Sequence, residues 1–295
     1  MQTLLALKAS LDRAVEEAIA GRASDLSPEF AEVLRMAVRT AAPSDDCSLL
    51  ACGAAAWCGA APDSVMHVAV ASRLLRAALL CHVTLPGFEG PAKQTAGREF
   101  WRIAGEADAL LAGDALVPLA LEILASCGSR HALILLGDAV KALGSQGILA
   151  GYSMELDLAA RTPEEPGEGQ AGHERPPSLD SGAVRRMHSG RLAGFASASG
   201  ALEAGASRET ADEAFLIGLM AGRASDLLAG RVLSRQSAQA RQEAETEASA
   251  LLDEALGRVG EAAEGDLLRR IMETIWTRRG ETLENGSGDL FGGLS

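Results

Sequence analysis

Val65–Cys81, VMHVAVASRLLRAALLC, runs with almost no polar interruption except Ser72, Arg73 and Arg76. Most of it is alanine, leucine and valine, and alanine and leucine are strong helix formers. A helix that is apolar all round has to be surrounded by other elements. The expectation is a helical bundle with this segment at its centre.

Upstream, residues 3–20 set Leu4, Leu7, Leu11, Val15 and Ala18 on one helical face, closed by Gly21 and Pro28. Residues 29–42 repeat the pattern with Phe30, Val33, Leu34, Ala37 and Ala41. A long apolar stretch then runs from Leu49 to Ala61, and Pro62-Asp63 marks a helix start. Downstream, Pro86-Gly87 stops the central segment and residues 87–97 form a loop. Further helices are expected over 99–127, 130–143 and 147–160. TPEEPGEGQAGHERPPSLDSG, residues 162–182, is crowded with Pro, Gly and Glu and is a loop. Helical periodicity resumes at Val184, breaks near Gly205 and runs to about Arg279. No alternating β-branched run exceeds a few residues. The fold class is therefore all-α, with one domain over 1–280, a surface loop at 162–182 and a disordered tail over 281–295. The hexamer GRASDL occurs at Gly21–Leu26 and at Gly222–Leu227 with no flanking match, and is taken as chance.

The composition agrees. Of 295 residues, 47% are hydrophobic and 23% charged, ordinary for a globular chain, while aromatics are only 3%, too few for a β-sandwich. The formal net charge is −13, and the basic residues are scattered arginines plus Lys8, Lys93 and Lys141. No basic stripe exists for nucleic acid. No signal peptide and no unbroken apolar run of about 18–20 residues is found, so no membrane span is expected. Cys47, Cys52, Cys58, Cys81 and Cys127 are odd in number and lack a CxxC pair. They are read as small buried hydrophobes with free thiols, in a reducing, cytoplasmic setting.

Familiar catalytic signatures are missing: GxGxxG after a strand, GxxxxGK[ST], HExxH and GxSxG. The nearest string, Gly151-Tyr152-Ser153-Met154-Glu155, lacks the second glycine. His67, His82, His131, His173 and His188 show no metal-ligand spacing. His173 falls in the polar loop, and His67 and His131 are read as ordinary helix-surface residues.

The string GEADALLAGDALVPLALEILAS, Gly105–Ser126, resembles the GEA-x-AILAGDALL-x-x-AFE-x-L helix of the trans-isoprenyl (polyprenyl) diphosphate synthases. Other strings then fall into order. Ala71–Pro86 is similar to ELIHTYSLIHDDLP, and Gly147–Leu158 to GMxGGQALDL. Val184–Gly205 resembles IHRxKTGALIRAAVxLGALxAG, Phe215–Leu228 resembles xxIGLAFQxxDDIL, and Ala248–Arg279 resembles the closing helices. The resemblance covers roughly residues 30–280. It implies a large helical bundle around a central cavity, dimeric through a broad apolar helix face. It also implies a chemistry: ionisation of an allylic diphosphate, with Mg²⁺ held between two Asp-rich motifs, followed by attack of isopentenyl diphosphate on the carbocation.

At the positions that carry this chemistry the chain departs from the family. The first motif, HDDLPxxD, is His82-Val83-Thr84-Leu85-Pro86-Gly87-Phe88-Glu89, leaving only Glu89 as a carboxylate. The second, FQxxDDxxD, is Ala221 to Ala229, with Ser225 and Asp226 at the central pair and Asp226 alone acidic. The basic KRLRP clamp falls on Ser44-Asp45-Asp46-Cys47-Ser48, the arginine pair on Gln94-Thr95, the Lys-Thr dyad on His188-Ser189 and the Gln of GGQ on Tyr152. Glu89 and Asp226 are read as helix-end charges over a residual metal pair, and His82 as packed or hydrogen-bonded. His188 is a weak candidate for a phosphate contact, and Tyr152 fills space. Arg73, Arg76 and Arg223 would face the old cavity, where buried cations need anions. They are expected to form at least one salt bridge to Glu89, Asp226 or Asp157.

The resulting expectation is a polyprenyl synthase-family protein of isoprenoid biosynthesis that is non-catalytic, with no cofactor. It would be a regulatory or small subunit, as a homodimer or as a heterodimer with an active prenyl synthase. Two alternatives stay open. One is an active prenyltransferase or terpene-synthase-like enzyme with an altered site, which would use Mg²⁺. The other is a protein that binds an isoprenoid or other lipid in the old tunnel.

Overall fold

The computed structural model describes residues 4–22, 28–41, 46–87, 100–159, 190–228 and 238–284. All regular structure in these residues is helical. The helices are α1 (Leu4–Arg22), α2 (Pro28–Ala41), α3 (Asp46–Trp57), α4 (Met66–Val83), α5 (Phe100–Ala104), α6 (Glu106–Ser126), α7 (Ala132–Leu143), α8 (Ile148–Ala159), α9 (Arg191–Glu203), α10 (Arg208–Leu228), α11 (Ala238–Val259) and α12 (Asp266–Glu284). A 3₁₀ turn, Pro62–Val65, leads into α4. The loop expected at 162–182 lies outside the described residues, as do 285–295 of the expected tail. The last helix continues to Glu284, past the expected boundary at 280.

α4 takes the central place that its all-round apolarity demands: every residue from Val68 to Cys81 is buried. α3 is a second such helix, buried without a break from Asp46 to Ala55. α9 is the third, buried from Leu192 to Ala201 except at Ala198, and α1, α2, α6, α10 and α12 pack around these three. Two breaks have backbone causes. At the end of α9, Gly205 has φ +85°, its N–H bonds the Leu202 carbonyl, and the Ala206 N–H bonds the Ala201 carbonyl. That is a Schellman stop, and it needs a residue that enters the left-handed region cheaply. The single helix expected over 99–127 is instead two, because Gly105 at φ +94° turns the chain between α5 and α6.

By length and composition, Pro62–Val83, Glu106–Ser126 and Ala132–Met154 are long and apolar enough to cross a membrane. This corrects the expectation of no such segment. A search for unbroken apolar runs is defeated by single charges such as Arg76 or Asp114, whereas mean hydropathy is not. The first stretch lies in the bundle core. The other two leave Leu110, Leu111, Leu133, Ile134 and Val140 exposed.

Close backbone approach sets the α9–α10 and α3–α9 spacing. A Cβ on Gly218 would strike the Ser197 side chain and the Ala193 carbonyl oxygen; one on Gly200 would strike the Ala51 carbonyl. Gly218→Ala and Gly200→Ala should each cost about 2 kcal/mol through overpacking. Gly137, inside α7, has nothing within 4 Å of its would-be Cβ. Gly137→Ala should stabilise by about 0.5–1 kcal/mol through helix propensity. Urea unfolding of the three variants checks both signs.

Candidate functional site

Among the described residues, the positions that the resemblance sets against the family's ligands lie on α3, α4, α8 and α10. Arg76, on the central helix, is 8% exposed. Its Nη2 lies 3.4 Å from Asp226 Oδ1 on α10, the cross-site pair expected from the sequence. The other oxygen, Asp226 Oδ2, accepts the Gly190 N–H at 3.3 Å, at the start of α9. Asp46, the first residue of α3, is buried and accepts a 2.7 Å hydrogen bond from the Ser225 hydroxyl. Burial opposes the charge on Arg76, but Cys47, Asp226, Asp46 and Tyr152 around it outweigh that cost, so the guanidinium is held firmly protonated. The Cys47 thiol beside it is pushed up to about 11 by burial, against the opposing pull of Arg76. It remains a neutral thiol at physiological pH.

The negative charge of Asp46 is thus turned inward, onto the arginine and the serine. Of the three arginines expected at the site, only Arg76 is there. Arg73 pairs with Asp12 of α1 at 2.5 Å, and Arg223 pairs with Glu247 of α11. Residues three apart on a helix point about 60° from each other, which sends Arg73 and Arg76 to different neighbours. Val83 and Thr84 are half-buried at the end of α4, and Thr84 donates to the Leu80 carbonyl at 2.7 Å. Tyr152 packs against the core and lies near enough to Arg76 to act on its charge. His82 is half-buried, with Nε2 3.2 Å from the Leu110 carbonyl and 3.3 Å from Asp114. Glu89, His188 and Ser189, with Gln94 and Thr95, lie outside the described residues.

No family model and no curated protein matches the chain. Solved structures do. An FPP/GFPP synthase from Zymomonas mobilis superposes with a TM-score of 0.68 at 21% identity, over 93% of this chain and 100% of that one. The geranyl diphosphate synthase small subunit from Antirrhinum majus gives 0.61 at 22%, over 90% and 98%. A heterotetrameric geranyl pyrophosphate synthase from mint gives 0.62 at 20%, over 90% and 97%. The chain has the trans-isoprenyl diphosphate synthase fold.

That fold implies Mg²⁺, an ion that demands several oxygen ligands in near-octahedral order. Among the described residues the donor set does not fit it. The Val83 side chain offers no oxygen, the Thr84 and Ser225 hydroxyls donate to Leu80 and Asp46, and both oxygens of Asp226 meet protein donors. Among the same residues no three His, Cys, Asp or Glu side chains gather as a metal set.

A second buried polar cluster escapes sequence reasoning. Glu203, at the C-terminal end of α9, is 9% exposed at its side chain and lies 3.1 Å from both His67 Nε2 and His131 Nδ1. The Ser129 hydroxyl donates to it at 2.6 Å. Arg130 Nε donates to His131 Nε2, so the proton sits on Nδ1 and faces Glu203. His67 and His131 are therefore half-buried partners of one carboxylate, not ordinary surface residues. They join the start of α4 and the start of α7 to the end of α9.

Removing one member of the buried pair should expose its cost. Asp226→Ala is expected to lose about 3 kcal/mol of unfolding free energy, because Arg76 loses an anion in the core. Arg76→Met combined with Asp226→Leu should recover most of that loss in the same urea titration.

Proposed function

We propose that the chain is a non-catalytic member of the trans-isoprenyl diphosphate synthase family, a regulatory or small subunit that pairs with an active synthase. One observation carries this reading. Asp226, the carboxylate left at the second Asp-rich position, is engaged by Arg76 and the Gly190 amide. An active site of this chemistry holds such a carboxylate ready for a metal ion that neutralises a departing diphosphate. Here the carboxylate's partner is a fixed guanidinium, which has no open coordination position to offer a substrate oxygen.

The partner reading rests on the outer helices. α6 and α7 carry Leu110, Leu111, Leu133, Ile134 and Val140 exposed, although most apolar side chains of the bundle are buried. Contiguous exposed apolar surface marks an interaction face. Among proteins of this fold, one similar structure is a small subunit and another belongs to a heterotetrameric synthase. We take the partner to be an active prenyl synthase or a second copy of this chain. We place the protein in the cytoplasm, in keeping with its five free cysteines.

The purified chain, given Mg²⁺, isopentenyl diphosphate and an allylic diphosphate, should make no detectable product. Turnover abolished by Asp226→Ala would overturn the proposal and favour an altered but active enzyme. Co-expressed with a synthase that keeps both Asp-rich motifs, the chain should co-elute with it in size-exclusion chromatography. Leu110→Glu with Leu133→Glu should abolish that co-elution while leaving the unfolding midpoint of the isolated chain unchanged.

A further inference from the structure

α7 supplies Leu133, Ile134 and Val140 to the exposed apolar face, yet little apolar surface holds it to the bundle. Its buried side chains are Leu135, Ala139, Ala142 and Leu143, so its first two turns bury one large side chain. Two others in those turns face solvent, with Leu133 84% exposed. Burial of so little area leaves the helix free to roll at small cost. The direction in which Leu133 and Ile134 point has to be fixed by something else.

The polar contacts at the head of the helix fix it. The His131 side chain does not cap α7. Instead the Ser129 hydroxyl accepts the His131 N–H at 2.9 Å and donates to Glu203 Oε1 at 2.6 Å. The His131 imidazole turns to the same oxygen, its Nδ1 at 3.1 Å. The other oxygen, Oε2, lies 3.1 Å from His67 Nε2, on the central helix α4. One carboxylate thus ties the head of α7 to α4 and to the end of α9. Hydrogen bonds to a charged acceptor are strong, and burial of Glu203 keeps water from competing for it.

We propose that Glu203 is the positioning residue of the partner face: it sets the orientation of α7, and with it the register in which Leu133 and Ile134 meet a partner. The inference rests on the reading of that face given above. Glu203 does not itself touch the partner; it acts through Ser129 and His131. Its removal would therefore disturb α7 and leave Leu110 and Leu111, on α6, where they are.

Analytical ultracentrifugation of the full chain, alone and with a synthase that keeps both Asp-rich motifs, gives the dissociation constants. Glu203→Ala should weaken association by about ten-fold or more at a temperature where the variant is fully folded. Glu203→Gln, which keeps an acceptor for Ser129 and a polar group toward His67, should stay within about two-fold of the original chain. A double-mutant cycle locates the effect. In a Leu133→Ala background Glu203→Ala should add less than about three-fold, whereas in a Leu110→Ala background it should keep its full effect. The Ile134 and Leu135 amides, which bond the His131 carbonyl at 2.8 and 2.9 Å, should exchange about ten-fold faster in Glu203→Ala, with α6 unchanged. If Glu203→Ala fails to fold, Ser129→Ala with His131→Ala cuts the α7 side alone and takes its place. Unaltered association, equal effects in the two leucine backgrounds, or exchange that rises equally in α6 and α7 would overturn the proposal. If the two leucine variants associate normally, the partner reading falls and this one with it; if they weaken association and Glu203→Ala does not, only this one falls.

Discussion

A guanidinium buried on the central helix is the constraint to which the core of this bundle answers. An isolated charge in so apolar a setting costs several kcal/mol, and the chain must either expose it or surround it with acceptors. α4 cannot expose Arg76, because its neighbours cover every residue from Val68 to Cys81. The compensating charges therefore come from elsewhere: Asp226 near the end of α10 accepts from it, and Asp46 at the start of α3 adds a second negative charge nearby. Asp226 in turn fixes the first amide of α9, and Ser225 fixes Asp46. A single cation thus sets the mutual position of four helices whose contacts are otherwise alanine, leucine and glycine. Such surfaces are smooth, and apolar contacts alone specify their register poorly. A slip of α10 by one turn would separate Arg76 from Asp226.

The packing and the ligand positions of this fold are separable. The tight α9–α10 contact depends on Gly218 and on the small residues Ala193 and Ser197 opposite. None of these need be a metal ligand. The chain keeps this packing while Val83, Thr84 and Ser225 stand where the resemblance places carboxylates. Loss of carboxylates from a metal site relieves a repulsion when the metal goes too, since two or three close anions without a cation destabilise the folded state. Neutral residues there, with Asp226 paired to Arg76, bring no such repulsion to the core.

Much of this was legible in the sequence. The all-round apolarity of residues 65–81 placed α4 at the centre, and Gly205 marked the end of α9. Arg76–Asp226 followed from the rule that buried charges seek partners once the two motifs were taken to face each other. Other features had no signal of the same kind. Gly105 breaks a helix whose apolar periodicity runs straight through it, because periodicity reports which face is buried and not where the backbone turns. Arg73 and Arg223 carry the same side chain as Arg76, and only the identity of the neighbouring helix decides whether the partner is Asp12, Glu247 or Asp226. His67, His131 and Glu203 come from three distant segments, and no spacing rule joins them.

The Glu203 cluster completes the logic of the core from the opposite side. Glu203 sits at the C-terminal end of α9, where the helix dipole opposes a carboxylate, and it is nearly buried. Two imidazoles and a hydroxyl, brought by the first turn of α4 and the turn before α7, supply the donors that the helix end cannot. One end of α9 is held by its amide on Asp226, the other by its carboxylate on His67, His131 and Ser129. Between the two anchors the helix offers mainly small residues to α3 and α10, and those allow close approach without directing it. Polar contacts at both ends supply the direction. The helix is therefore pinned at each terminus.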